Sequence, residues 1–169
     1  MTDAETIESL SADLVGELTA TGHTIALAES CTGGWIAKAI TDVPGSSACL
    51  GYGVVSYSNG AKENVLGVDA ETLETHGAVS EAVVLQMAEG VLRLSGADLG
   101  IAVSGIAGPD GGSGDKPVGT VWFAWSRRHK TGYRSEAVCH MLDGDRGEIR
   151  SQSVVLALAG ARERMKGGV

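Results

Sequence analysis

The residue types that could do chemistry fall in short clusters, and the densest is Glu29-Ser30-Cys31-Thr32. It follows an apolar run, Thr24 to Ala28, and leads through Gly33-Gly34 into a second apolar run, Trp35 to Ile40. A strand that feeds a helix through small residues sets backbone N–H groups and the positive end of a helix dipole beside hydroxyl and thiol side chains. Such a junction can hold an anion, or an oxyanion as it forms. Further clusters are Ser46-Ser47, Tyr57-Ser58-Asn59 with Lys62, Ser104 with the glycine-rich segment from Gly105 to Gly119, and Asp143 to Arg146.

Ser30 and Cys31 compete as the nucleophile. A thiol at a helix N-terminus is expected to have a lowered pKa. A cysteine hydrolase or a Ser-His-Asp triad needs a histidine base, yet the 4 histidines lie in expected turns, at a helix end and in a hairpin strand, none within a motif. A Ser/Lys pair is the remaining arrangement. It requires Lys62 to be buried enough to be neutral near pH 7 and so accept a serine proton. Tyr57 could then orient the lysine or relay the proton. Each cluster alone also has a structural reading. Ser30 and Thr32 can cap the next helix, Ser46 and Ser47 can serve the Pro44-Gly45 turn, Lys62 can be a solvated charge, and Tyr57 can pack on a sheet. The glycine segment lacks both the Walker and the dinucleotide fingerprints.

The elements that must position these residues alternate. Thr2-x-x-Glu5 is a capping-box pattern, followed by Ile7, Leu10, Leu14 and Leu18 at helical spacing, with an end near Thr21-Gly22. Strands are expected at 24–28, 50–57 and 99–104, and a hairpin at 118–126 and 133–142. Short helices are expected at 61–67 and 69–76, with Ser58-Asn59-Gly60 as a turn before them. A longer helix is N-capped by Ser80 and buries Val84, Met87 and Val91. A final helix starts at Asp143-Gly-Asp145 and closes with Arg162, Arg164 and Lys166. This order predicts one domain over 1–169, a three-layer α/β/α sandwich with a mixed sheet. In open α/β sheets ligands gather at the carboxyl ends of strands, so several clusters can converge there.

Composition narrows the function. The chain of 169 residues is 43% hydrophobic and 20% charged, with 25 glycines and a single phenylalanine, so an aliphatic core is expected. A net charge of -8 argues against a general nucleic-acid binder. The 3 cysteines are widely spaced and form no metal or disulfide pattern. With no apolar run of spanning length and no signal-peptide pattern, the expectation is a cytoplasmic protein that does not engage a membrane.

The motifs Ala-Glu-Ser-Cys-Thr-Gly-Gly (28–34), Pro-Gly-Ser-Ser (44–47), Tyr-Ser-Asn (57–59) with Lys62, His-Gly-Ala-Val-Ser (76–80), Ser-Gly-Ile-Ala-Gly-Pro-Asp-Gly-Gly (104–112), Lys-Pro-Val-Gly-Thr-Val (116–121) and Gly-Asp-Arg (144–146) occur in that order. Together they make the chain resemble the CinA C-terminal domain family, whose stand-alone members are nicotinamide-nucleotide amidohydrolases of the PncC type. The resemblance implies hydrolysis of the carboxamide of nicotinamide mononucleotide, without metal or other cofactor, by a Ser/Lys dyad in a homo-oligomer. It implies Lys62 as base, Ser30 as preferred nucleophile with Ser47 as second candidate, and Tyr57 and Arg146 in the pocket. The oxyanion would rest on N–H groups of Cys31, Thr32, Gly33 and Gly34. Arg146, Thr32 and the 105–112 loop would serve the phosphate, with Asn59, Ser104 and Gly105 also touching substrate. A non-catalytic mononucleotide-binding regulatory module, or an amidase for another substrate, is the alternative.

Overall fold

The computed structural model describes residues 3–166. Its order is α1 (Asp3–Thr21), β1 (Ile25–Glu29), α2 (Trp35–Thr41), a 3-10 turn (Ser46–Ala48), β2 (Leu50–Val55), α3 (Asn59–Leu66), α4 (Ala70–His76), α5 (Glu81–Ser95), β3 (Leu99–Gly105), β4 (Thr120–His129), β5 (Gly132–Met141) and α6 (Arg146–Lys166). The capping-box residue Thr2 lies outside the described residues.

The strands form one sheet in the order β2-β1-β3-β4-β5. β1 runs parallel to β2 and β3, while β4 and β5 are antiparallel additions. The mixed α/β/α sandwich expected from the order of elements is therefore the fold.

The alternation of side chains across the strands explains why the two faces differ. Leu27 lies opposite Ile101, and Ile101 opposite Trp125. These bulky residues meet Leu14, Leu18, Ile36, Ile40, Val154 and Leu158 from α1, α2 and α6. The other face is lined by Ala28, Ala102 and Ala124 in register. So flat a surface lets α5 lie close, with Val84, Met87 and Val91 fully buried. Close approach recurs between helices. A Cβ at Gly90 of α5 would overlap the carbonyl oxygen of Leu66, so α3 meets α5 backbone to backbone.

Element ends differ from expectation where a side chain caps the chain. Helix α3 begins at Asn59 rather than after a turn, because Ser58 Oγ accepts the Ala61 N–H at 3.1 Å. Helix α6 begins at Arg146, one residue beyond the expected start. Asp145 Oδ1 accepts the Glu148 N–H at 2.9 Å, and Glu148 returns the bond to Asp145 N at 2.7 Å. The hairpin strands extend to His129 and Gly132, leaving a two-residue turn, because Arg127 and Arg128 still pair with Arg134 and Tyr133.

Candidate active site

Strand β1 delivers Ser30 to its carboxyl end, where Ser30 N–H continues the sheet by donating to Val103 O at 3.0 Å. The chain then reverses through Gly33 and Gly34, whose φ values of 61° and 91° lie in the left-handed region that suits glycine. Glu29, 1% exposed, locks the reversal. Its carboxylate accepts the N–H groups of Gly34, Ile36 and Ala37 at 3.0, 3.2 and 2.8 Å. Arg150 holds the turn from the other side. Its Nε and Nη2 donate to the carbonyls of Cys31 and Thr32, each at 3.0 Å, and its guanidinium lies 5.5 Å from the Trp35 ring.

These bonds correct the expected oxyanion donors. The N–H of Gly34 goes to Glu29, and that of Gly33 to Ser30 O at 3.0 Å. The N–H groups of Cys31 and Thr32 have no backbone or carboxylate acceptor among the described residues, and of this pair Cys31 lines the cleft. Thr32 is completely buried, and its Oγ1 has no hydrogen-bond partner among the described residues, so its hydroxyl is not open to a phosphate in the cleft.

Lys62 is carried by α3 and is 1% exposed. Its Nζ donates to Ser56 O at 2.7 Å and to Ser30 Oγ at 3.1 Å. No ion pair among the described residues includes it. Burial disfavours the charged form and holds its pKa below the usual lysine value. The same burial pushes the Cys31 thiol up to about 11, opposite to the lowering expected at a helix start. A thiol in that state is protonated at neutral pH and is a poor nucleophile.

The cleft, about 270 Å³, brings together Ser30, Cys31, Tyr57, Lys62, Ser104, Gly105 and Arg146. Tyr57 is 60% exposed, and its hydroxyl accepts from Arg146 Nη2 at 3.0 Å, while Lys62 Nζ bonds to Ser56 O and Ser30 Oγ. Tyr57 therefore belongs to the arginine side of the cleft rather than to a relay through Lys62. Arg146 also donates to Gly108 O at 2.7 Å, which leaves further guanidinium donors for a ligand. Ser104 Oγ donates to Ala78 O at 2.8 Å and ties the wall to the segment before α5.

Four further expected participants, Ser47, Asn59, Gly33 and Gly34, do not line the cleft. Ser47 is exposed in the 3-10 turn that precedes β2. Because β2 runs parallel to β1, Ser47 stands at the opposite end of the sheet, about 17 Å of strand away from Ser30. Asn59 is exposed at the start of α3 and does not line the cleft. Gly33 and Gly34 shape the turn from outside the cleft. Residues unassigned from sequence also matter. Arg150 lies one helical turn after Arg146, and that spacing was a readable signal. Asp110 lines the cleft within a quoted motif. Ser56 acts through its carbonyl, which no side-chain pattern reveals.

Fold and site thus define an α/β/α protein with a dehydrated lysine on a serine at the carboxyl ends of its parallel strands. The CinA C-terminal domain profile matches residues 7–165, and the chain belongs to that family. It is 51% identical over 158 residues to the nicotinamide-nucleotide amidohydrolase PncC of Escherichia coli (strain K12), covering 94% of this chain and 93% of the relative. It is 50% identical to a putative competence-damage inducible protein of Symbiobacterium thermophilum, covering 98% of this chain and 39% of that longer one. Among solved structures, the competence damage-inducible protein A of Klebsiella pneumoniae superposes with a TM-score of 0.90 at 42% identity, covering 96% and 99% of the two chains. No helix among the described residues is long and apolar enough to cross a membrane.

Proposed function

We propose that this chain hydrolyses the carboxamide of nicotinamide mononucleotide to nicotinic acid mononucleotide and ammonia, by a Ser/Lys mechanism. The observation that carries the reading is the 3.1 Å contact between Ser30 Oγ and a Lys62 that is 1% exposed and has no carboxylate partner among the described residues. The near full-length relatives named as amidohydrolases supply the substrate.

Neutral Lys62 takes the Ser30 hydroxyl proton as Oγ attacks the amide carbon. The carbonyl oxygen gains negative charge and meets the Cys31 N–H. When the tetrahedral species collapses, the C–N bond breaks and Lys62 hands its proton to the leaving nitrogen, releasing ammonia and an ester on Ser30. Water then adds to the ester, giving a proton to Lys62, and the proton returns to Ser30 Oγ as the carboxylic acid departs. Arg146, steadied by Gly108 O and Tyr57, stands where a phosphate can use its free donors. A regulatory module that only binds a mononucleotide would gain nothing from a buried unpaired lysine, which costs stability.

We read residues 1–169 as one cytoplasmic amidohydrolase domain that works as a homo-oligomer without nucleic acid. Ammonia release from nicotinamide mononucleotide tests the reaction. The wild type is expected to turn over, and Ser30→Ala to lose activity on the order of 10⁴-fold. A Ser30→Ala enzyme with near-normal turnover overturns the assignment.

A further inference from the structure

The cleft presents a carboxylate as well as its cations. Among the residues that line it, Asp110 alone carries a negative charge, alongside Lys62 and Arg146. Asp110 is exposed, and no ion pair among the described residues includes it. Arg146 grips the same loop two residues earlier, at Gly108 O, and gives its other bond to the Tyr57 hydroxyl. The two opposite charges of the cleft are therefore held apart rather than joined to each other.

The loop that carries Asp110 is fixed on both sides. Ile106 N–H donates to Thr120 O at 2.9 Å, Gly119 N–H to Ile106 O at 2.8 Å, and Ser113 N–H to Lys116 O at 2.8 Å. Lys116 Nζ ties the loop to His76 O at 2.6 Å. A Cβ on Gly112 would come within 2.8 Å of the Val118 nitrogen, so the chain just after Asp110 is closely packed. The backbone under the carboxylate is in place before a ligand arrives, which lowers the ordering cost of a contact.

The substrate read above carries the same two charges. Its phosphate is an anion, and the ring that bears the carboxamide is a pyridinium cation. A carboxylate in the cleft attracts the ring and repels the phosphate, so Arg146 and Asp110 together fix which way round the nucleotide lies. Only the oxidised ring has this charge. Addition of a hydride gives a neutral dihydropyridine with the same carboxamide, ribose and phosphate.

We propose that Asp110 faces the cationic ring of the substrate and makes the cleft selective for the oxidised, pyridinium form of the nucleotide over its reduced, dihydropyridine form. As the ring covers the carboxylate it displaces water, and the attraction between the two charges strengthens. The assignment rests on the amidohydrolase reading above.

Equilibrium binding tests it. Nicotinamide mononucleotide and its reduced form are titrated calorimetrically into Ser30→Ala, in which turnover is removed, and into the double variant that adds Asp110→Asn. In the single variant the oxidised form is expected to bind about fivefold more tightly than the reduced one, the scale of one ion pair partly open to water. In the double variant the two forms are expected to bind within about twofold of each other, through a loss on the oxidised form alone. In the otherwise wild-type chain, Asp110→Asn is expected to raise KM for nicotinamide mononucleotide by a similar factor, with a smaller change in kcat. Equal binding of both forms before Asp110 is changed, a preference that survives Asp110→Asn, or an equal loss of both forms overturns the proposal. In each case ammonia release by the wild type leaves the Ser30–Lys62 reading standing. A wild type that releases no ammonia from nicotinamide mononucleotide instead overturns the amidohydrolase reading itself.

Discussion

The two ends of the sheet both carry a cavity, and they use positive charge in opposite ways. At the amino ends of the parallel strands lies one of about 560 Å³, lined by Arg127, Arg128, Arg134 and Arg164 among others, and a groove of the same volume along Pro109 and Arg146 adjoins the cleft at the other end. Most of the cations at the amino ends are answered. Arg128 donates to Ala97 O and Leu92 O at 3.2 and 2.8 Å, and Arg127 to Arg164 O at 2.9 Å. Arg164 pairs with Glu136 at 2.6 Å. These side chains satisfy the carbonyl ends of α5 and α6, which suits the negative pole of a helix. The smaller cleft at the carboxyl ends holds Lys62, whose Nζ donates, among the described residues, to a carbonyl and a hydroxyl alone. Volume therefore does not mark the reactive end. On the proposed mechanism a dehydrated cation with no counter-charge among the described residues does, because its preference for the neutral form is what a proton acceptor needs.

Removing that cation is the strongest way to break the contrast. Lys62→Met is expected to reduce ammonia release about 10³-fold, the scale of a lost general base. The same variant is expected to melt at a higher temperature than the wild type at pH 7. The folded-state pKa of Lys62 lies below its unfolded value, so the unfolded chain binds more protons between the two. The wild type is destabilised most below the folded pKa and recovers as pH rises towards the unfolded one. The difference in melting temperature should therefore shrink as pH rises, which a series of thermal melts reads directly. A Lys62→Met chain that melts lower at every pH would show that the lysine is held mainly by its hydrogen bonds.

Arg150 sharpens the contrast, because it binds carbonyls like the far-end arginines yet does so beneath Ser30. Arg150→Met is expected to lower kcat about 10²-fold with little change in KM, as the turn loses its two carbonyl anchors and Ser30 drifts from Lys62. A larger effect on KM than on kcat would place Arg150 in substrate binding. A third measurement is the pH profile. Activity is expected to rise about tenfold per pH unit while pH stays below the folded pKa of Lys62, then level off below the ordinary lysine range. A flat profile would remove lysine deprotonation from the rate. Smallest of all, Arg134→Ala in the far cavity is expected to leave turnover within about twofold, in line with exposed sites away from special features. A drop comparable to that of Arg150→Met would make the large cavity part of the function.

How much of this was legible in the chain depends on which atoms act. The alternation of apolar runs specified the layers, and Ser80 and Ser58 act through capping rules that depend only on neighbours in sequence. The union of Ser30 with Lys62 followed from strand-end placement and from the family motifs. Effects that run through the backbone were not legible. Glu29 consumes the donors of α2, which a run of small residues had left free for an anion. Its place at a helix start predicts a lowered pKa for Cys31, but the core encloses the thiol, and dehydration outweighs the dipole. Ser47 was grouped with the other serines by motif, whereas parallel pairing of β1 and β2 sends it to the far end within its own chain.

The contact between Gly90 and Leu66 lies outside the cleft, yet it works as a gauge for it. Leu66 closes the helix that carries Lys62, and this helix rests so close on α5 that a Cβ on Gly90 would overlap the Leu66 carbonyl. Gly90→Ala is expected to push the Leu66 carbonyl aside and, through α3, to lengthen the Nζ–Ser30 contact, which a fall in ammonia release at unchanged folding would read. If Lys62 takes the Ser30 proton as proposed, the helix–helix seam at Gly90 helps set the distance over which that proton moves.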